Sequence, residues 1–162
     1  LSLTIDSEEY SGISVFVGAH EVGLLIKDIQ EIIEPVSTFP VPVTDSSLEG
    51  LISLRGSVLP VIALKLILHA SQSPFTNKDK KYVICAADSK IAALDVDAVG
   101  DTFTFDSNQL SDSNYDDQTG IITKQVELSG KTLQILNVSE LIQLTSGLNK
   151  TTREAIGYSL TN

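Results

Sequence analysis

Two stretches of this chain read as diverged copies of one β-forming unit, and that duplication constrains the fold more than any single motif does. VGLLIKDIQEI, from Val22 to Ile32, is answered by AALDVDAVGDT, from Ala92 to Thr102. Gly50, Leu51 and Ile52 recur as Gly120, Ile121 and Ile122, and Gly56, Val61, Ile62, Leu64 and Ile67 align with Gly130, Ile135, Leu136, Val138 and Leu141. Matched elements in the same order imply two similar sheets joined along one chain, with a groove or a shared core between them.

Within each copy the local signals are those of strands and tight turns. ISVFVG ends at a glycine that permits reversal through GAHE into VGLLI, where Leu25 makes both faces apolar and argues for burial between layers. KDIQEII has helical spacing at Ile29, Ile32 and Ile33, but its counterpart VDAVGDTFTF reads as a strand, and the strand reading is adopted for both. Pro35, Pro40 and Pro42 then interrupt regular structure. LEGLISL and VLPVIALKLIL flank Arg55, Gly56 and Ser57 as a hairpin, in which Pro60 marks an edge or a bulge. The polar stretch 69–81 is the best internal boundary, giving a first lobe at 13–68 and a second at 81–144, with exchange of terminal strands between lobes allowed and a tail at 145–162. In the second lobe, hairpins turn at Asp88–Ser89 and Ser129–Gly130, and the loop 106–120 carries Asp106, Asp112, Asp116 and Asp117. Asn137 or Ser139 caps a short helix, SELIQL, and Thr151 or Thr152 caps a terminal one containing Ala155 and Ile156.

Composition narrows the classes of partner. With 162 residues, 42% hydrophobic and 20% charged, the chain is long and apolar enough for a globular core, as one domain or two interdependent lobes. A net charge of −10 makes a nucleic-acid backbone or an anionic membrane surface a costly partner, so neither is expected. Cys85, the only cysteine, lies in the apolar run YVICAA and reads as an inert buried thiol, without a disulfide or a thiolate metal site. No apolar run approaches the roughly 20 residues of a membrane helix, and no basic-then-apolar leader is present, so a cytoplasmic protein is expected. A start at Leu1 without any methionine reads as a processed or excised segment.

Residues capable of catalysis are sparse. His20 and His69 have no Ser, Cys or Asp companion at motif spacing. Asp95/Asp97 and Asp116/Asp117 are the acid pairs; they offer a cation site or a glycoside-hydrolase pair, yet lack the oxygen-ligand pattern of a calcium loop, and solvated loop carboxylates are the favoured reading. GxxxxGK[ST] and GxGxxG are both absent. The expectation is a non-enzyme with no cofactor and no metal. Arg55, one of 11 basic residues, sits between two apolar strands, where it either offers bidentate bonds to a partner's carboxylate or pins the turn through backbone carbonyls. Glu31 and Glu34 can pair with a basic partner or remain solvated, while Ile29 or Ile32, if uncovered, would form an apolar contact surface.

This order of elements resembles the CheW-like domain of bacterial chemosensory systems, from Ile13 to about Leu144. LEGLISLRGSVLPVIAL, from Leu48 to Leu64, is similar to the family's G-hydrophobic-hydrophobic-N-L-R-G-x-hydrophobic-x-P-hydrophobic-hydrophobic-D-L signature, with Ser53 in place of the asparagine and Ala63 in place of the aspartate. Gly23, Ile29, Glu31 and Ile32 match the first-half segment; LDVDAV, from Leu94 to Val99, matches a second-half strand whose glycine is replaced by Ala93. The resemblance implies an all-β fold of two packed five-stranded β-barrel lobes related by an internal pseudo-repeat, with short peripheral helices. It also implies a non-catalytic adaptor between the regulatory domain of a CheA-type histidine kinase and the cytoplasmic tip of a chemoreceptor, at membrane-associated arrays. Arg55 would lie on the receptor-facing surface and Ile29, Glu31 and Ile32 on the kinase-facing one. Gly23, Gly50, Gly56, Pro60, Gly120 and Gly130 would serve turns and core. Two rivals stay open: a regulatory domain excised from a CheA-type kinase, and a small-ligand-binding β protein or acid-based hydrolase using the groove.

Overall fold

The computed structural model describes residues 8–40, 47–115 and 119–145. The expectations for Pro42, Asp116, Asp117, the opening residues and the tail beyond Thr145 lie outside them.

The alternating apolar runs form strands, and left-handed turn residues join them. β1 (Glu9–Val17) and β2 (His20–Leu25) make a hairpin; a 3-10 turn at Ile26–Asp28 leads to β3 (Ile29–Ile33), so the strand reading of this segment holds. β4 (Leu48–Leu54) and β5 (Ser57–Ile62) turn through Arg55 and Gly56, at φ 49° and 84°. That is the left-handed pair a two-residue hairpin requires. α1 (Leu64–Ile67) follows. β6 (Lys81–Ala87) and β7 (Lys90–Val96) turn at Asp88 and Ser89, both also at positive φ. β8 (Ala98–Asp106), β9 (Leu110–Asp112), β10 (Ile122–Leu128) and β11 (Lys131–Leu136) complete the strands, and residues 138–145 are helical. Asn137 caps that helix, its Oδ1 accepting from Glu140 N at 3.0 Å.

The strands assemble into one six-stranded sheet, β8-β1-β2-β11-β10-β9, and one five-stranded sheet, β3-β6-β7-β5-β4. The expectation of two closed five-stranded barrels is therefore corrected: both sheets are open. In the six-stranded sheet the edges β8 and β9 are linked along the chain through residues 107–109 rather than by a ladder. In the five-stranded sheet β3 and β4 do not pair, because the proline-containing connection follows β3 and its Phe39 occupies the outer edge of β4. Phe39 and Leu51 exchange backbone bonds of 2.7 and 3.0 Å. Gly50 is required there, since a Cβ at that position would run into the Phe39 carbonyl oxygen.

Neither sheet belongs to one half of the chain. Hairpin β1–β2 is inserted between β8 and β11, and hairpin β6–β7 between β3 and β5. The repeat is exact in register: Gly23 faces Ile135 as Ala93 faces Val61, and Ile13 faces Thr102 as Val83 faces Ile32. Leu48–Ile62 and Ile122–Leu136 are likewise equivalent pairs, each followed by the same bulge. This register corrects one alignment. Gly50 lies within β4 opposite Val61 and corresponds to Lys124, whereas Gly120 precedes β10.

Strand alternation divides the core. Val15, Leu24, Ile62, Leu94, Leu136 and Leu141 belong to a shared core that draws on both sheets. Ile52, Val61 and Ile84 pack on the other side of the five-stranded sheet, and Phe105, Val126 and Ile135 on the other side of the six-stranded one. Each fully buried aliphatic side chain contributes about 1.5–3 kcal/mol. The shared cluster is by far the largest of the three, so separating the sheets would cost more than either could supply alone.

Pro60 is neither at a sheet edge nor at the bulge. It pairs with Leu51 in an internal strand, just before the ladder from β5 to β7 begins at Val61, so its missing N–H removes no ladder bond to β7.

Candidate protein-interaction surface

The five-stranded sheet curls until its first strand meets the far hairpin, and a single ion pair spans the opening. Arg55 Nη1 donates to Glu31 Oε2 and Nη2 to Glu31 Oε1, both at 2.5 Å. This fork-to-fork geometry is the strongest form of the Arg–carboxylate pair. The guanidinium holds the Glu31 carboxyl below its ordinary range, and Glu31 in turn raises Arg55. The Arg55 side chain remains 67% exposed and that of Glu31 29%. Arg55 thus bonds a carboxylate of its own chain rather than backbone carbonyls, and the two surfaces that resemblance assigned to Arg55 and Glu31 share an edge.

The elements that carry the pair, β3 with its following connection and the β4–β5 hairpin, also carry exposed apolar side chains, Ile32, Val36, Phe39 and Val58; Ile32 follows Glu31 in the strand and so projects from the opposite face of the sheet. Ile29 is different. It is half-buried and packs against the shared core, supporting β3 from behind. Glu34 is paired with Lys81 at 3.0 Å. Ser53, where the resembling family has asparagine, is exposed opposite Val58. Ala63 is buried at the start of α1 without a side-chain cap, at the position equivalent to the capping Asn137. Gly23 lies in β2 where a Cβ would press on Ile135, Phe103 and Leu133. Gly56 and Gly130 occupy equivalent hairpin turns at positive φ.

Sequence reasoning missed Phe39 and Val58, because one sat in a segment read only as a proline break and the other in an apolar run read only as one strand of the Arg55 hairpin. It also misjudged Asp97. Instead of a solvated loop carboxylate, Asp97 is a buried clamp: its Oδ2 accepts from Gly18 N at 2.6 Å and lies 3.5 Å from Lys65 Nζ, while its own N–H bonds Phe16 O at 2.8 Å. Lys80 Nζ lies 2.5 Å from Asp95 and 4.0 Å from Asp97. Both carboxylates are therefore committed to their own chain.

One cleft, of about 360 Å³ beside the connection that follows α1, is lined mainly by polar groups, among them Lys65, Lys80 and Asp97, whose charges are paired with one another. A cleft of about 300 Å³ at the end of the six-stranded sheet is lined mainly by apolar groups, including Tyr10, Leu25, Phe105, Leu110 and Ile135; its one acid, Asp28, is paired with Lys27. Among the described residues no group of three or more His, Cys, Asp or Glu could hold a metal ion, and no helix is long and apolar enough to cross a membrane.

Comparison with known proteins agrees with this geometry. The model of the CheW-like domain family matches residues 11–146. The chain is 29% identical to the chemotaxis protein CheW of Helicobacter pylori over 146 residues, covering 85% of each chain. It is 29% identical to the chemotaxis protein CheW of Thermotoga maritima over 139 residues, covering 84% of this chain and 89% of that one. The crystal structure of the scaffolding protein TtCheW from Thermoanaerobacter tengcongensis superposes with a TM-score of 0.75 at 25% identity, covering 83% of this chain and 93% of the other. The chain belongs to the CheW-like domain family.

Proposed function

From this family membership we infer that the chain is a non-catalytic adaptor that couples chemoreceptors to a CheA-type histidine kinase in a chemosensory array. The observation that carries the reading is that β3 and the β4–β5 hairpin present an exposed Glu31–Arg55 pair and, on the same elements, exposed apolar side chains, on the outside of the fold rather than in a cavity. The pair is open to solvent, so a partner's carboxylate can replace Glu31 on Arg55 in the same fork geometry, one charge-assisted pair being exchanged for another. Ile32, Phe39 and Val58, exposed on the same elements, supply area whose burial drives association.

Arg55 is assigned to the receptor tip and Ile32 to the kinase regulatory domain, with Glu31 at the shared edge and Ile29 holding β3 in place. The mechanism is geometric. Two sheets around one core form a stiff spacer, so a change in one partner's orientation is passed to the other. The protein works in the cytoplasm, at membrane-associated receptor arrays. Its −10 charge favours basic protein surfaces over nucleic acid or bare anionic lipid.

Binding of the chain to a kinase regulatory domain and to a receptor-tip fragment, measured with Arg55→Ala and Ile32→Ala separately, tests the assignment. Arg55→Ala should weaken receptor binding and spare the kinase, and Ile32→Ala the reverse. Folded variants that bind both partners like the parent would defeat it.

A further inference from the structure

Each ladder that stitches a hairpin into its sheet joins one half of the chain to the other: β1 to β8 and β2 to β11 in the six-stranded sheet, β6 to β3 and β7 to β5 in the five-stranded one. The first half supplies a hairpin to the six-stranded sheet and three strands to the five-stranded one, and the second half supplies a hairpin to the five-stranded sheet and four strands to the six-stranded one. The equivalent pairs share one register, as Gly23–Ile135 and Ala93–Val61 show, so the halves are laid out as an exchanged pair of similar units. One connection, residues 69–80, holds them together.

We propose that two copies of this chain associate by exchanging halves, residues up to Leu68 of one copy completing both sheets with residues from Lys81 onward of the other. Every ladder and the shared core are kept in the exchanged dimer, and only the connection changes path. Its beginning stays with the first half, where the Phe75 ring packs on Phe16 at 4.9 Å. Its end stays with the second, through Lys80 and Asp95. The hinge is therefore Thr76–Asp79, a 3-10 turn held by a capping box. Because the contacts are the same in both forms, their balance follows the effective concentration that the connection imposes, which is about millimolar for a short flexible link. Monomer prevails at micromolar concentration, and the dimer grows as the concentration approaches that value or the hinge is shortened. Glu31 and Arg55 both lie in the first half, so each copy keeps its ion pair and the dimer presents two identical outer surfaces. This inference rests on the sheet topology and not on the adaptor reading.

Glu9 and Asp106 face each other across β1 and β8, one from each half. Their Cα atoms lie at the spacing of directly opposed antiparallel residues, about 4.5–5.5 Å, within reach of a disulfide. Full-length Glu9→Cys and Asp106→Cys chains are unfolded together, refolded near millimolar concentration and oxidised. Exchange predicts a covalent heterodimer, more of it when Thr76–Asp79 is deleted, and none when the two variants are refolded apart and then mixed at low concentration. Cys85 stays silent, being buried with its thiol pushed up to about 12. Light scattering on the unmutated chain refolded the same way should show a concentration-dependent dimer. Two results overturn the proposal: a double variant that closes its own disulfide while the mixed single variants do not, or a chain that remains monomeric near millimolar concentration even without Thr76–Asp79.

Discussion

Replacing Asp97 should loosen the whole molecule, because this one residue carries the chain from β7 in one sheet to β8 in the other. It is 7% exposed, with Val96 and Ala98 buried on either side. Its carboxylate accepts from Gly18 N at 2.6 Å, fixing the β1–β2 turn. A hydrogen bond to a charged group contributes about 1.5–3 kcal/mol. The contacts to Lys65 and Lys80, whose side chains are 45% and 32% exposed, add at most about 1 kcal/mol each after solvent screening. Asp97→Ala should therefore cost about 2–4 kcal/mol, whereas Asp97→Asn, which keeps an acceptor for Gly18, should cost about 1 kcal/mol. Urea unfolding followed by circular dichroism measures both. With a slope of about 2 kcal/mol per molar, the midpoint of the alanine variant falls by about 1–2 M and that of the asparagine variant by about 0.5 M. Equal shifts for the two variants, or an alanine variant within about 0.5 kcal/mol of the parent, would refute the clamp.

Other perturbations test separate parts of the account. Glu49 is exposed at its residue surface, but partial desolvation of its carboxyl and the neighbouring Asp95 carboxylate push it from 4.5 up to about 8, against the opposing pull of Lys80 and Lys65. The folded state then holds this proton more tightly than the unfolded chain, so its contribution is complete below pH 4.5 and is lost as pH rises towards 8. The urea midpoint should fall across that window and flatten in Glu49→Gln; a parent midpoint that rises there would contradict the shift. Gly50→Ala forces a Cβ against the Phe39 carbonyl and should cost about 1–3 kcal/mol, seen as a lower thermal midpoint. Asn137→Ala removes the cap on Glu140 N and should cost about 1 kcal/mol. Cys85, with its thiol raised to about 12 by burial, should react with a disulfide reagent only at the rate of global unfolding.

Much of the fold was legible because strand periodicity and turn chemistry are local. The hairpins at Arg55–Gly56 and Asp88–Ser89 and the capping Asn137 could each be read from a few neighbouring residues. What lies between distant segments was not. Open sheets and closed barrels share the same alternation, and only the ladders reveal that β3 and β4 stay apart. The match of Gly50 with Gly120 failed because identical letters lie in different registers, while Val61 with Ile135 survived because both face the equivalent strand position. At the candidate site, Arg55 and Glu31 each stood out singly. Their bond depends on the curl of a sheet across 24 residues of sequence, which neither local pattern encodes. Phe39 escaped notice because its role comes from pairing with Leu51 at a sheet edge.

One stiff unit, with two sheets around a common core, should hold two proteins at once. Analytical ultracentrifugation of the chain with a kinase regulatory domain and a receptor-tip fragment tests it directly. A single species containing all three should form, without loss of affinity for either partner. Displacement of one partner by the other would contradict it.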